Sequence, residues 1–65
     1  MKRSDRNKLK SELVKTGISI NEADYRIASL EQIFRSCTEL SLDDMYDLCC
    51  DWLGEQFEDY FNYFL

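Results

Sequence analysis

After Arg35 this chain carries eight carboxylates, Glu39, Asp43, Asp44, Asp47, Asp51, Glu55, Glu58 and Asp59, and no Lys, Arg or His. Carboxylates in such a run support acid–base catalysis, binding of a hard cation, or electrostatic docking on a cationic surface. Catalysis needs a carboxylate of shifted pKa beside a reactive partner. The chain has no His, no Gly-x-Ser-x-Gly and no glycine loop to cradle phosphate, and its serines are best used as helix caps. Calcium binding needs the Asp-x-Asp-x-Asp-Gly loop in which acids converge, whereas acids on a regular helix diverge. Docking is the chemistry left, and no enzyme activity, metal or cofactor is expected.

Residues 1–35 hold all eight bases against five acids, Asp5, Glu12, Glu22, Asp24 and Glu31, so the two halves carry +3 and −8 and sum to −5. The acidic half is also the aromatic half, with Tyr46, Trp52, Phe57, Tyr60, Phe61, Tyr63 and Phe64 set between the carboxylates. Disordered acidic tails are poor in such residues, so an ordered acidic surface is expected.

The elements that position these groups are helices. There is no Pro, only Gly17 and Gly54 interrupt long runs of period near 3.6, and strand signals are nearly absent. The spacing predicts an all-α, single-domain protein of three helices: a short basic one over 4–16 with Ser4 as cap, a second over 20–37, and a long acidic third over 42–63. The second and third form an antiparallel hairpin. Gly17 suits the left-handed end of the first helix, with Ile18 folding back on Leu13 in a Schellman closure. Ser19 and Ser41 each precede an acid three residues on, Glu22 and Asp44, and read as N-caps.

On the first helix Leu9, Leu13 and Val14 make a thin apolar face. Ile20, Ala23, Ile27, Leu30, Phe34 and Cys37 draw a seam along the second. Leu42, Tyr46, Cys49, Leu53, Phe57, Tyr60 and Phe64 form the main stripe of the third, ~35 Å long at 1.5 Å per residue. Gly54 lies inside that span as a kink, a close crossing or a tolerated cost of about 1 kcal/mol.

On the flank of the third helix Asp44, Asp47, Asp51, Glu55 and Glu58 follow at steps of three or four. Like charges at this spacing repel by a few tenths of a kcal/mol per pair, with no lysine between them, so the helix gains nothing from the pattern. Either the ridge is a solvated face, neutralised internally by Lys2, Arg3, Arg6, Lys8 and Lys10, or it docks on a basic site of another protein. Carboxylates spaced along a rod imitate the charge of nucleic acid and suit a groove that otherwise takes DNA or RNA. In size, acidity and lack of catalytic machinery the chain resembles the small inhibitors that phages and plasmids direct against restriction or CRISPR enzymes, a compositional similarity carried by no motif.

The alternative is a small DNA-associated transcriptional regulator. The stretch Leu13 to Ala23, with Gly17 and Ser19, resembles the turn of a helix-turn-helix, and Lys2, Arg3, Arg6 and Lys10 are its candidate phosphate contacts. Asn21, Glu22 and Asp24 depart from that pattern, since acids at the head of a recognition helix repel DNA.

The rings of Tyr60-Phe61-Asn62-Tyr63-Phe64-Leu65 cannot all face one core on an α-helix. Phe57, Phe61, Tyr63 and Phe64 are therefore the candidate aromatic interface, for a partner or a homodimer. Cys37, Cys49 and Cys50 are odd in number and lack a His, which fits small apolar residues kept reduced in a cytoplasm. Met1-Lys2-Arg3-Ser4-Asp5-Arg6 is not followed by an apolar run, and no stretch approaches the ~20 apolar residues of a membrane span, so neither a secretory signal nor a membrane partner is expected.

Overall fold

Two serines and two glycines mark where the elements begin and turn. The Glu22 N–H donates to Ser19 Oγ at 3.1 Å. At Ser41 the box is reciprocal: Asp44 N–H donates to the Ser41 hydroxyl at 3.1 Å, and the Asp44 carboxylate accepts from Ser41 N–H at 3.4 Å. The computed structural model describes residues 1–64, Leu65 lying outside the described residues. These fold into four helical elements: α1 (Arg3–Lys15), α2 (Ile20–Ser36), α3 (Leu42–Leu53) and a terminal 3-10 helix (Glu55–Phe64), with no strand among the described residues.

The start of α1 differs from expectation. Lys2 holds the cap position without a side-chain bond, the Arg6 N–H closes on its carbonyl at 2.9 Å, and Ser4 lies inside the first turn. Gly17 does adopt positive φ, +106°. The turn there closes through Thr16 N–H to Leu13 and Gly17 N–H to Val14, both 3.0 Å. The second is one of the two bonds of a Schellman closure, while the Leu13 carbonyl is taken by Thr16 and not by Ile18, so the closure is only half made.

The long third helix is the main correction. α3 ends at Leu53, and at Gly54 (φ +116°, ψ +156°) the chain turns back along itself. The rings of Tyr46 and Phe61 meet edge to face with centroids 4.9 Å apart. In a continuous helix, residues fifteen apart would stand about 22 Å from one another. The Gly54 conformation lies in a region that side chains essentially exclude, while a Cβ built there would meet only Phe57 Cδ2, at 3.8 Å. Glycine is therefore required by backbone strain and not by space. The reversal is sealed when Phe57 N–H donates to the Gly54 carbonyl at 2.9 Å.

The 3-10 geometry also settles where the rings go. At three residues per turn, side chains three apart stand in one column. Phe57, Tyr60 and Tyr63 share such a column, each ring 5.1 Å from the next. Phe61 and Phe64 share the adjacent one, and Phe64 stacks on Phe34 of α2 at 5.3 Å. Gln56, Asp59 and Asn62 fill the third column and are exposed. Glu55 and Glu58 head the Phe61–Phe64 column and are exposed, so the inward packing belongs to Phe57 and to the rings from Tyr60 on. An α-helix would group Phe57, Tyr60, Phe61 and Phe64 as well, but would turn Tyr63 roughly a third of a turn away from them.

The core is drawn from every element: Leu9 and Leu13 of α1, Ala23, Ile27 and Leu30 of α2, Cys49 and Leu53 of α3, and Phe57 and Phe61. Ile20 and Leu42, expected in the apolar seams, are 59% and 55% exposed. Each is the first residue of its helix, where side chains tilt toward the N-terminus and project past the packed layer. Cys37, the last member of the α2 seam, is exposed at the C-cap.

Candidate docking surface

Ion pairs divide the acids of this chain into two populations. Arg6 bonds Glu31 and Lys10 bonds Asp24 at 2.8 Å, each tying α1 to α2, while Arg26 holds Glu22 at 2.9 Å and Lys15 holds Glu12 at 3.3 Å along their own helices. Four of the five acids before Arg35 are thereby paired. Among the described residues, none of the eight carboxylates after Arg35 meets a Lys or Arg. The alternative of internal neutralisation by the first helix is not seen among the described residues: Arg6 and Lys10 are engaged on α2, and Lys2, Arg3 and Lys8 are exposed without an ion pair to these acids.

Asp44, Asp47, Asp51, Glu55 and Glu58 are all exposed. The reversal at Gly54 changes their arrangement, and the straight ridge of the sequence reading is folded in two. Cys50 marks the fold: its Sγ lies 4.0 Å from Glu58 Oε2, although eight residues separate them. The Cys50 thiol is pushed above its ordinary pKa, first by desolvation and then by the charges of Glu58, Glu55, Asp51 and Asp47. Four carboxylates from two antiparallel elements therefore act on one half-buried thiol. The anionic surface is a short double row and not a rod. Among the described residues no three His, Cys, Asp or Glu side chains converge closely enough to hold a metal ion.

Local chemistry explains why the acids are tolerated here. Asp43 and Asp44 lie in the first turn of α3, where the helix dipole favours negative charge and Asp44 completes the cap. The other end of α3 has no base in its last turn. Arg26 of α2 serves instead, reaching the Trp52 carbonyl at 3.5 Å while it holds Glu22.

The aromatic interface expected at Phe57, Phe61, Tyr63 and Phe64 is taken up by the fold. Phe57 and Phe61 are 4% and 7% exposed, and Tyr63 and Phe64 are half-buried. The candidate nucleic-acid contacts separate as well: Lys2 and Arg3 are exposed at the start of α1, while Arg6 and Lys10 are in the α1–α2 pairs. Asp24, one of the acids at the head of α2, is the partner of Lys10.

Sequence reasoning missed Cys50 as the centre of the acid cluster, since that depends on the reversal. It also missed Tyr25, which is 61% exposed and stands 6.4 Å from Trp52, ring to ring. The signal for Tyr25 was present: Tyr25, Ala28, Ser29, Gln32 and Ile33 recur at helical spacing without a charge. Among the described residues no helix is long and apolar enough to cross a membrane. Comparison of the chain with family models, curated proteins and solved structures finds no match.

Proposed function

We propose that this protein is a non-enzymatic binding module whose acidic half occupies a basic site on another protein, a site that otherwise takes nucleic acid. In this reading it is an inhibitor or adaptor of the kind encoded by phages or mobile elements, acting in the cytoplasm. One observation carries the reading: none of the eight C-terminal carboxylates meets a base within the described chain, while four of the five N-terminal acids do. A surface that keeps its anions together without counter-charge gains electrostatic free energy when cations arrive from outside, and it steers such a partner over roughly a Debye length, about 8 Å at physiological salt. The double row around Cys50 is a compact anionic patch, which matches the basic patch of a nucleic-acid-binding site by its charge and not by copying the regular spacing of a phosphate backbone.

The test is capture from the native host, with the parent protein and with an Asp47→Asn, Asp51→Asn, Glu55→Gln, Glu58→Gln variant as baits. The parent should retain a partner that is released as salt rises, and the variant should not. Equal capture by both baits would end this reading. A gel shift on nonspecific duplex separates it from a DNA-associated regulator working through Lys2 and Arg3: an acidic module leaves duplex unshifted, whereas a shift at physiological salt favours the regulator.

A further inference from the structure

Across α3 from Cys50, one face of α2 is left open to solvent. Tyr25, Ala28, Ser29, Gln32 and Ile33 line a shallow groove that Trp52 of α3 closes on one side. In a chain that is 32% charged, this strip of helix carries no charge at all. The Tyr25 and Trp52 rings, 6.4 Å apart and tilted 55° to one another, both line the groove. Exposed Tyr and Trp are the residues that most often carry binding energy at protein interfaces.

The rim of the groove has a sign. Asp44, Leu48 and Trp52 follow at steps of four on α3, and Asp51 stands three residues beyond Leu48. Helical geometry therefore lays Asp44 and Asp51 along the solvent side of Trp52. Both carboxylates are exposed. Glu22 and Arg26 lie on the Trp52 side, where Arg26 also reaches the Trp52 carbonyl, and their charges cancel in their own pair. On the far edge Arg35, one turn beyond Gln32, is exposed, which leaves the two carboxylates of α3 in excess.

We propose that this groove takes an amphipathic helix of the basic partner, with its aliphatic face on Tyr25, Ile33 and Trp52 and its Lys or Arg flank against Asp44 and Asp51. The proposal rests on the acidic docking reading and specifies the partner's chemistry. Charge complementarity selects the occupant: an acidic helix meets repulsion at the rim, and a purely polybasic segment leaves the aromatic walls uncovered.

Trp52 is the only tryptophan, so its fluorescence reports on the groove alone. The probes are a short amphipathic Leu/Lys peptide, an oligolysine of equal charge and a Leu/Glu peptide of the same pattern. The Leu/Lys peptide should bind and shift Trp52 emission to the blue. Oligolysine should bind at least ~10-fold more weakly, about 1.4 kcal/mol, without the shift, and the Leu/Glu peptide should not bind. The double substitution Tyr25→Ser with Ala28→Gln alters two exposed positions without changing charge. It should weaken the Leu/Lys peptide about 10-fold and leave oligolysine unchanged. If the two basic peptides bind alike, if the double substitution has no effect, or if the Leu/Lys peptide fails to bind, the groove proposal is overturned. Failure of the underlying reading looks different: neutralising Asp47, Glu55 and Glu58, which lie outside the groove, then leaves oligolysine bound as before, whereas a failed groove alone leaves oligolysine binding sensitive to that change.

Discussion

In α1 and α2, charge helps to join one element to the next: Arg6–Glu31 and Lys10–Asp24 bridge the helices, and Arg26 extends the network to the end of α3. In α3 and the 3-10 helix the joining is done by rings, through Tyr46 on Phe61, the Phe57–Tyr60–Tyr63 column and Phe64 on Phe34, and every carboxylate is left outside. Exposed ion pairs contribute at most about 1 kcal/mol each, so even in the first half charge refines a fold that apolar burial creates. What separates the halves is that acids in one have work inside the molecule and acids in the other have none.

The comparison breaks most completely at the core both halves share. Leu30 is fully buried in a core to which all four elements contribute. Leu30→Asp places an unpaired charge there at a cost above about 4 kcal/mol, more than a domain of this size can lose. Circular dichroism should show no cooperative melting. A folded, cooperatively melting variant would mean that the assigned helix face is wrong.

Gly54→Ala acts on the acidic half alone. At φ +116° an alanine is strained, and the substitution should lower stability by about 1–3 kcal/mol in urea titration. Because the residue also favours continuing α3, loss of the Tyr46–Phe61 contact should accompany the loss of stability, read as a change in near-ultraviolet dichroism. A neutral substitution would show that the reversal does not depend on glycine.

Gly54 also shows where the sequence runs out. The caps at Ser19 and Ser41, the positive φ of Gly17 and the buried run Ala23, Ile27, Leu30 were legible, because each depends on neighbours within a turn or two. A glycine inside a helical pattern has several readings, and the apolar spacing of residues 55–63 fits an α-helix and a 3-10 helix alike. Choosing between them needs the tertiary fact that Phe61 has Tyr46 to pack on. The exposure of the acids could be read from their charge. Their gathering around Cys50, and the Tyr25–Trp52 groove, could not, since both are made by elements meeting in space.

Alkaline pH tests the apolar side of the acidic half. Burial, and to a lesser degree the neighbouring Cys50, push the Cys49 thiol from 9.0 up to about 12. The unfolded chain then loses this proton first. The stability tied to the protonated thiol is fully present below about pH 9 and is lost as pH rises through the folded value, with a limiting slope of about 1.4 kcal/mol per pH unit. Cys49→Ala should remove that share of the slope in denaturation series across this window. An unchanged slope would mean that Cys49 reaches solvent in the folded state.

The smallest expected effect sharpens the comparison most. Neutralising Asp47, Asp51, Glu55 and Glu58 together relieves like-charge repulsion between neighbours on both sides of the Gly54 turn and breaks no ion pair. Stability should stay level or rise by about 0.5–1 kcal/mol at low ionic strength, and the gain should vanish near 0.5 M salt, where the Debye length falls to about 4 Å. Lys10→Ala in the other half should move the opposite way, losing up to about 1 kcal/mol with its bridge to Asp24. Paired urea titrations at low and high salt measure both. If the neutralised variant were instead destabilised by more than about 1 kcal/mol, these carboxylates would be holding the fold, and the two halves would no longer differ in how they use charge.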